Sequence, residues 1–170
     1  YDFNSFEVIE PVANQPVAIN ELLAKNETVN SDEEGEFDDW IELFNYSDIT
    51  VDLSYHFLTD KVDDLTKWQF PDSGTGLEPG QYMLVWCDED QEQGILHTNF
   101  KLSSSGEFIA LVAPDGTTIL DSVTFPSQTE DVSYGISDLN EDEWAYMVPS
   151  PGSYNESLSY DDKTLPPGHF

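Results

Sequence analysis

No window of this chain sustains a helical period; its apolar residues fall instead into short runs separated by turn signals. The runs cover residues 17–24, 40–45, 51–53, 56–60, 66–70, 81–87, 107–113, 117–125, 132–137 and 144–148. Between them stand Pro71-Asp72-Ser73-Gly74, Pro79-Gly80, Ser105-Gly106 and Pro114-Asp115-Gly116. In the last of these Pro presets φ and Gly supplies a positive φ, which is a hairpin signal. Short strands recurring every 8–12 residues or roughly so indicate an all-β sandwich or barrel.

A chain of 170 residues suits one domain with flanking segments. Residues 1–16 hold two prolines and no period, and read as an N-terminal linker or arm. The patterned domain is expected over 17–155, closing after Pro149-Ser150-Pro151-Gly152. Residues 156–170, with the Pro166-Pro167-Gly168 break, read as a C-terminal tail or linker. The chain starts at Tyr1 with neither initiator Met nor signal peptide, so a processed protein or part of a longer one is expected. There is no run of about 18 apolar residues, and direct membrane insertion is not expected.

Five lysines and no arginine stand against 35 acidic residues, a net charge of −30. Nucleic-acid binding needs cations to neutralise phosphates, and this chain has almost none to offer. Self-repulsion at such a charge is relieved by salt or bound cations, which suits an extracellular, marine or halophilic setting, or a divalent-cation binder. The lone Cys87 excludes an internal disulfide and, inside the apolar run Tyr82-Met83-Leu84-Val85-Trp86-Cys87, reads as an inert buried thiol.

The densest acidic segment runs directly into a strand. Six carboxylates stand between Asp32 and Asp39, and Trp40-Ile41-Glu42-Leu43-Phe44 follows at once. Ile41 and Leu43 share one face of that strand, with Trp40, Glu42 and Phe44 on the other. Apolar residues on both faces mark an internal strand covered on both sides. Asn30, Asp32, Glu34 and Gly35 mimic the first half of a calcium loop, but Ile41 stands where the closing Glu should be and no helices flank it, so an EF-hand is excluded. A calcium site of another kind, built from Asp32, Glu34, Asp38 and Asp39, is the alternative to a solvated turn. Further acidic loops lie at Asp88-Glu89-Asp90 with Glu92 and at Asn140-Glu141-Asp142-Glu143.

His56, His97 and His169 show no transition-metal spacing, and His97 is expected to bond backbone in a loop. Asp121 shares a strand face with Val123 and Phe125, where an inward carboxylate must find donors; a backbone donor is expected. Trp40, Trp68, Trp86 and Trp144 lie in or beside strand patterns and read as core rather than as sugar platforms. No Gly-x-Ser-x-Gly elbow supports a serine hydrolase built on Ser103 or Ser105. No catalytic residue is assigned.

Taken in order, several pieces resemble one family. They are Ile19-Asn20-Glu21-Leu22, Asp39-Trp40-Ile41-Glu42-Leu43-Phe44-Asn45, Phe57-Leu58-Thr59-Asp60 and Trp68-Gln69-Phe70-Pro71. Leu77-Glu78-Pro79-Gly80, His97-Thr98-Asn99-Phe100-Lys101-Leu102, Asp121-Ser122-Val123, Ser133-Tyr134-Gly135 and Pro149-Ser150-Pro151-Gly152 follow. The chain resembles the lamin-tail domain, in its bacterial branch, across about residues 17–155. That resemblance implies an immunoglobulin-like β-sandwich of about seven to nine strands. It also implies structural roles for Asn20, Trp40, Glu42, Asn45, Trp68, His97, Asn99, Asp121, Ser133 and Gly135. One departure stands out: an arginine commonly follows the family's Ser-x-Gly element, and here that place is Ile136.

The expectation is therefore a non-catalytic binding or attachment module of a larger, exported bacterial protein, at the cell surface or outside the cell. Its partner would be a protein or a cell-envelope polymer, without nucleic acid. No cofactor is required, calcium being the one candidate. The alternative is a calcium-dependent carbohydrate- or protein-binding domain, and a hydrolase ranks last.

Overall fold

A computed structural model describes residues 16–137 and 143–155. The expected arm and tail, and most of the acidic loop at 140–143, lie outside the described residues. Eleven strands appear among those described, and no helix. One sheet has the order β11-β10-β1-β2-β7, built from β1 (Val17–Leu23), β2 (Asp39–Asn45), β7 (Tyr82–Cys87), β10 (Ser133–Ile136) and β11 (Trp144–Met147). The facing sheet has the order β5-β4-β8-β9, from β4 (Phe57–Thr59), β5 (Trp68–Gln69), β8 (Glu107–Val112) and β9 (Ile119–Phe125). A two-stranded ribbon, β3 (Val51–Asp52) with β6 (Gly76–Leu77), is the remaining pair. Every strand pairing in the sheets is antiparallel.

The core lies between the two sheets. Ile19, Leu22, Ile41, Leu43, Met83 and Val85 from one meet Leu58, Ile109, Leu111, Val123 and Phe125 from the other. They come from alternate positions of their strands, as a sandwich interior requires, except in β1, where Ile19 and Leu22 lie three residues apart. Ten of the eleven strands coincide with the expected runs; β6, two residues long beside Pro79-Gly80, carries too little pattern to be seen. The β8–β9 turn follows the chemistry of Pro114-Asp115-Gly116. Gly116 takes φ +72, and the Asp115 carboxylate accepts from the Thr117 and Thr118 amides and the Thr118 hydroxyl. Those bonds hold the Asp115 pKa down to about 2.

β2 is an internal strand of the larger sheet, flanked by β1 and β7. Its outer face is covered too: Trp40 is wholly buried in a second apolar cluster with Leu23 and Trp86. Alternation along β9 would put Ile119 on the inward face with Asp121, Val123 and Phe125, but it is exposed, at the start of the strand beside a register shift at Leu111/Val112.

Gly106 precedes β8 at φ +95, and a Cβ there would stand 2.5 Å from the Phe125 carbonyl oxygen and 2.9 Å from the Pro126 carbonyl carbon. Both obstacles are backbone, so neither yields cheaply. Gly106→Ala should destabilise the domain by about 2 kcal/mol, read as a lower urea midpoint at unchanged slope. An unchanged midpoint would show that the loop relaxes freely.

Candidate functional site

A bulge in β1 creates the buried polar centre of the domain. Ile19 pairs with Leu43 and Glu21 with Glu42, so Asn20 is an extra residue in the ladder. Strict alternation would send Asn20 and Glu21 to opposite faces; the bulge keeps both with Glu42 on the outer face. The segment after β11 closes over them. Glu21 accepts from the Ser150 amide at 3.0 Å and the Ser150 hydroxyl at 2.9 Å. Glu42 accepts from the Gly152 amide at 2.6 Å and from Asn20 Nδ2 at 3.1 Å. Asn155 Nδ2 donates to the carbonyls of Asn20 and Ile136, both at 3.0 Å.

Gly135 lies under this clasp, where a Cβ would meet the Asn20 carbonyl oxygen at 2.9 Å. Burial raises both glutamates above the usual carboxylate range. For Glu42 the rise reaches about 7, with repulsion from Glu21 adding to it and bonds from Gly152 and Asn20 opposing it. All four carboxylate oxygens are engaged and both residues are fully buried. This pair clasps the loop; it has no face to offer a substrate.

Beside the clasp opens a cavity of about 720 Å³. On one side Phe44 stands edge-on to Tyr46 and tilted against Tyr82, both with ring centres at 4.5 Å. On the other, Trp144 lines the wall with Tyr134 stacked on it at 5.4 Å. Tyr154, Asn20 and Asn155 complete the wall, and Ile136, where an arginine is common in the lamin-tail pattern, is part of it. Among the described residues no lysine lines the cavity. Asp121 does, but its carboxylate accepts from the Ile19 amide at 2.7 Å and the Ser122 amide at 2.9 Å, tying β9 to β1. Trp144, expected in the core, is only partly buried because β11 is the sheet's edge strand.

The opposite ends of the same strands carry the acidic loops. Asp39 of β2 pairs with Cys87 of β7 there, and the chain continues into Asp88. Of the expected cation ligands, Asp32 and Asp38 come together with Glu36, with carboxylate oxygens within 4.8 Å of one another. Asp32 also stands within that distance of Asp88 and His97. Glu34 and Asp39 do not join either group: the Glu34 side chain is exposed, and Asp39 Oδ1 accepts from the Asn26 amide at 3.2 Å. Burial lifts Asp39 to about 6, with the Asn26 bond opposing.

His97 is wholly buried between carboxylates rather than bonded to backbone as expected. Nδ1 meets Asp88 at 2.5 Å and Nε2 meets Glu33 at 3.2 Å. Burial opposes its charging, yet the two carboxylates outweigh that and raise its pKa. With both ring nitrogens engaged, His97 activates no serine. Ser103 and Ser105 bond each other instead. Cys87 is buried, and desolvation pushes its pKa well up, so it is no nucleophile.

The remaining motif residues have local tasks. Asn45 donates to the carbonyls of Ile49 and Leu77, closing the turn after β2. Asn99 reaches the Lys67 carbonyl at 2.7 Å, and Ser133 the Met147 carbonyl at 3.3 Å. Trp68 is buried against Phe70. Sequence reasoning missed Glu36 as a member of the acidic cluster, Glu21 and Ser150 in the clasp, and Tyr46, Tyr82 and Tyr154 in the cavity. The outward alternation of Phe44 was the one visible signal for the last group.

Two antiparallel sheets over one apolar core, with connections at both ends and no catalytic constellation among the described residues, define an immunoglobulin-like sandwich module. The Lamin Tail Domain family model matches residues 10–127, more than half of the chain, and the chain belongs to that family. The described sheet extends beyond that match, since β10 and β11 complete it. No curated protein and no solved structure matches the chain significantly. The family is an immunoglobulin-like module not known for catalysis.

Proposed function

We propose that this lamin-tail domain is a non-catalytic binding module that attaches a larger, exported protein to a neutral polymer of the cell envelope. The observation that carries this reading is the aromatic cavity. Rings from β2, β7 and β11 flank a floor of amide groups whose positions the clasp holds still. Aromatic faces with a few convergent polar groups suit a sugar ring, whose C–H face stacks while its hydroxyls bond. The absence of lysine in the wall, and a net charge of −30, disfavour an anionic ligand.

Co-sedimentation with the uncharged glycans chitin and cellulose, against anionic peptidoglycan sacculi as the contrast, tests the proposal, followed by calorimetry with soluble fragments of whichever neutral polymer binds. Tyr82→Ala and Trp144→Ala should each weaken binding at least tenfold, about 1.4 kcal/mol, while the far-ultraviolet circular dichroism stays that of the wild type. If no polymer carries the domain down, or both variants sediment like the wild type, the polymer reading fails. An envelope protein would then be the partner to seek.

A further inference from the structure

We propose that Asp32, Glu36 and Asp38 form a divalent-cation site, of the calcium class, at the end of the sandwich opposite the aromatic cavity. Three carboxylate oxygens, one from each residue, lie within 4.8 Å of one another. Oxygen atoms bound to one calcium at 2.3–2.6 Å stand at separations of about this size or less. An acidic cluster alone would not carry the inference, since this chain has 35 acidic residues. The further observation is what the local bonds leave unused.

Asp32 is only 9% exposed. Its Oδ1 accepts from the Glu34 amide at 2.9 Å and the Glu36 amide at 2.8 Å, which shapes the turn at Gly35. Its Oδ2 is buried with no hydrogen-bond partner, and so is Oδ2 of Asp38 in the same cluster. Buried acceptors are normally satisfied, and two carboxylates in one cluster, each with an orphaned oxygen, repel each other as well. No lysine forms an ion pair with Asp32, Glu36 or Asp38 among the described residues.

The donor chemistry selects the ion class. Carboxylates alone supply hard oxygen ligands, which suit calcium and leave room for water in its six to eight positions. His97, the nearest nitrogen, has both ring nitrogens engaged by Asp88 and Glu33, so it borders the site as a hydrogen-bonded neighbour rather than as a ligand. Because Asp32 belongs to both groups, a bound ion would link the 30–38 loop to the Asp88 loop after β7.

The test is calorimetric titration of calcium into chelator-treated protein, with melting temperatures in EDTA, calcium and magnesium at matched ionic strength. One calcium per chain is expected, and a Tm rise of about 5 °C at a hundredfold excess over Kd. Asp32→Asn keeps the turn-forming Oδ1, and Glu36→Gln changes an exposed side chain; each should weaken calcium at least tenfold with its EDTA melting temperature near the wild-type value. Three results would overturn the site. They are equal shifts with magnesium and sodium, calcium binding untouched in both variants, and tighter zinc binding that His97→Gln abolishes but Glu36→Gln does not.

Discussion

As the pH rises from about 4.5 to about 7.5, the unfolding free energy should fall, with Glu42 alone contributing a loss of about 3 kcal/mol. Glu42 is wholly buried, and desolvation carries its pKa from 4.5 to about 7 in the folded domain. The folded state therefore holds this proton more tightly than the unfolded chain does. Its contribution is fully present below 4.5 and is lost as pH climbs through about 7. Glu21, also raised by burial, acts in the same direction. His97 does too: its raised pKa stabilises the fold below its ordinary value and ceases to do so as pH rises through the folded one.

Urea midpoints measured at several pH values would show the decline, and Glu42→Gln isolates its main source. The amide cannot ionise, so the variant should show a much flatter profile and should gain on the wild type as pH increases. The residual slope belongs to Asp39, which burial raises to about 6, together with Glu21 and His97. A wild-type profile that rises over this interval, or a Glu42→Gln slope equal to the wild type's, would refute the assignment.

Trp40→Ala should cost about 3–5 kcal/mol. The indole is fully buried on the outer face of β2, packed with Leu23 and Trp86, with Val29 and Leu84 around them. Removing it opens a large cavity among Leu23, Trp86, Val29 and Leu84. It also strips Asn30 of the Nε1–H bond made at 2.9 Å, the tie between β2 and the start of the acidic loop. Trp40→Phe separates the two effects. It keeps most of the packing and loses the bond, so it should cost about 1–2 kcal/mol. A cost below about 1 kcal/mol for Trp40→Ala would mean that the outer cluster contributes surface cover rather than packing.

Much of the sandwich is legible in the chain because strand patterning is local. Alternation over Trp40-Ile41-Glu42-Leu43-Phe44 separates the core face from the outer face without knowledge of any partner. The hairpin at Pro114-Asp115-Gly116 is likewise set by residues adjacent in sequence. The β1 bulge is not readable in this way. Asn20 becomes an extra residue only through its register against β2, and that register places Asn20 and Glu21 side by side.

The acidic stretch divides along the same line. That it ends at Asp39 and feeds a strand is written in the residue types; that Asp32 is buried is not. Its burial follows from the Asp88 loop and His97 closing over it, brought there by the pairing of β2 with β7 and a bridge between Trp86 and His97. A sequence of carboxylates looks solvated until something packs upon it.

By itself the sequence determined the all-β class, most of the strands and the family, since periodicity and turn chemistry are properties of neighbouring residues. Only the tertiary structure decided the clasp, the aromatic cavity and the carboxylate cluster. Asn20 and Asn155 lie 135 residues apart and meet at 3.1 Å. Contacts of that separation depend on sheet order and register, which every strand sets jointly and no single segment encodes.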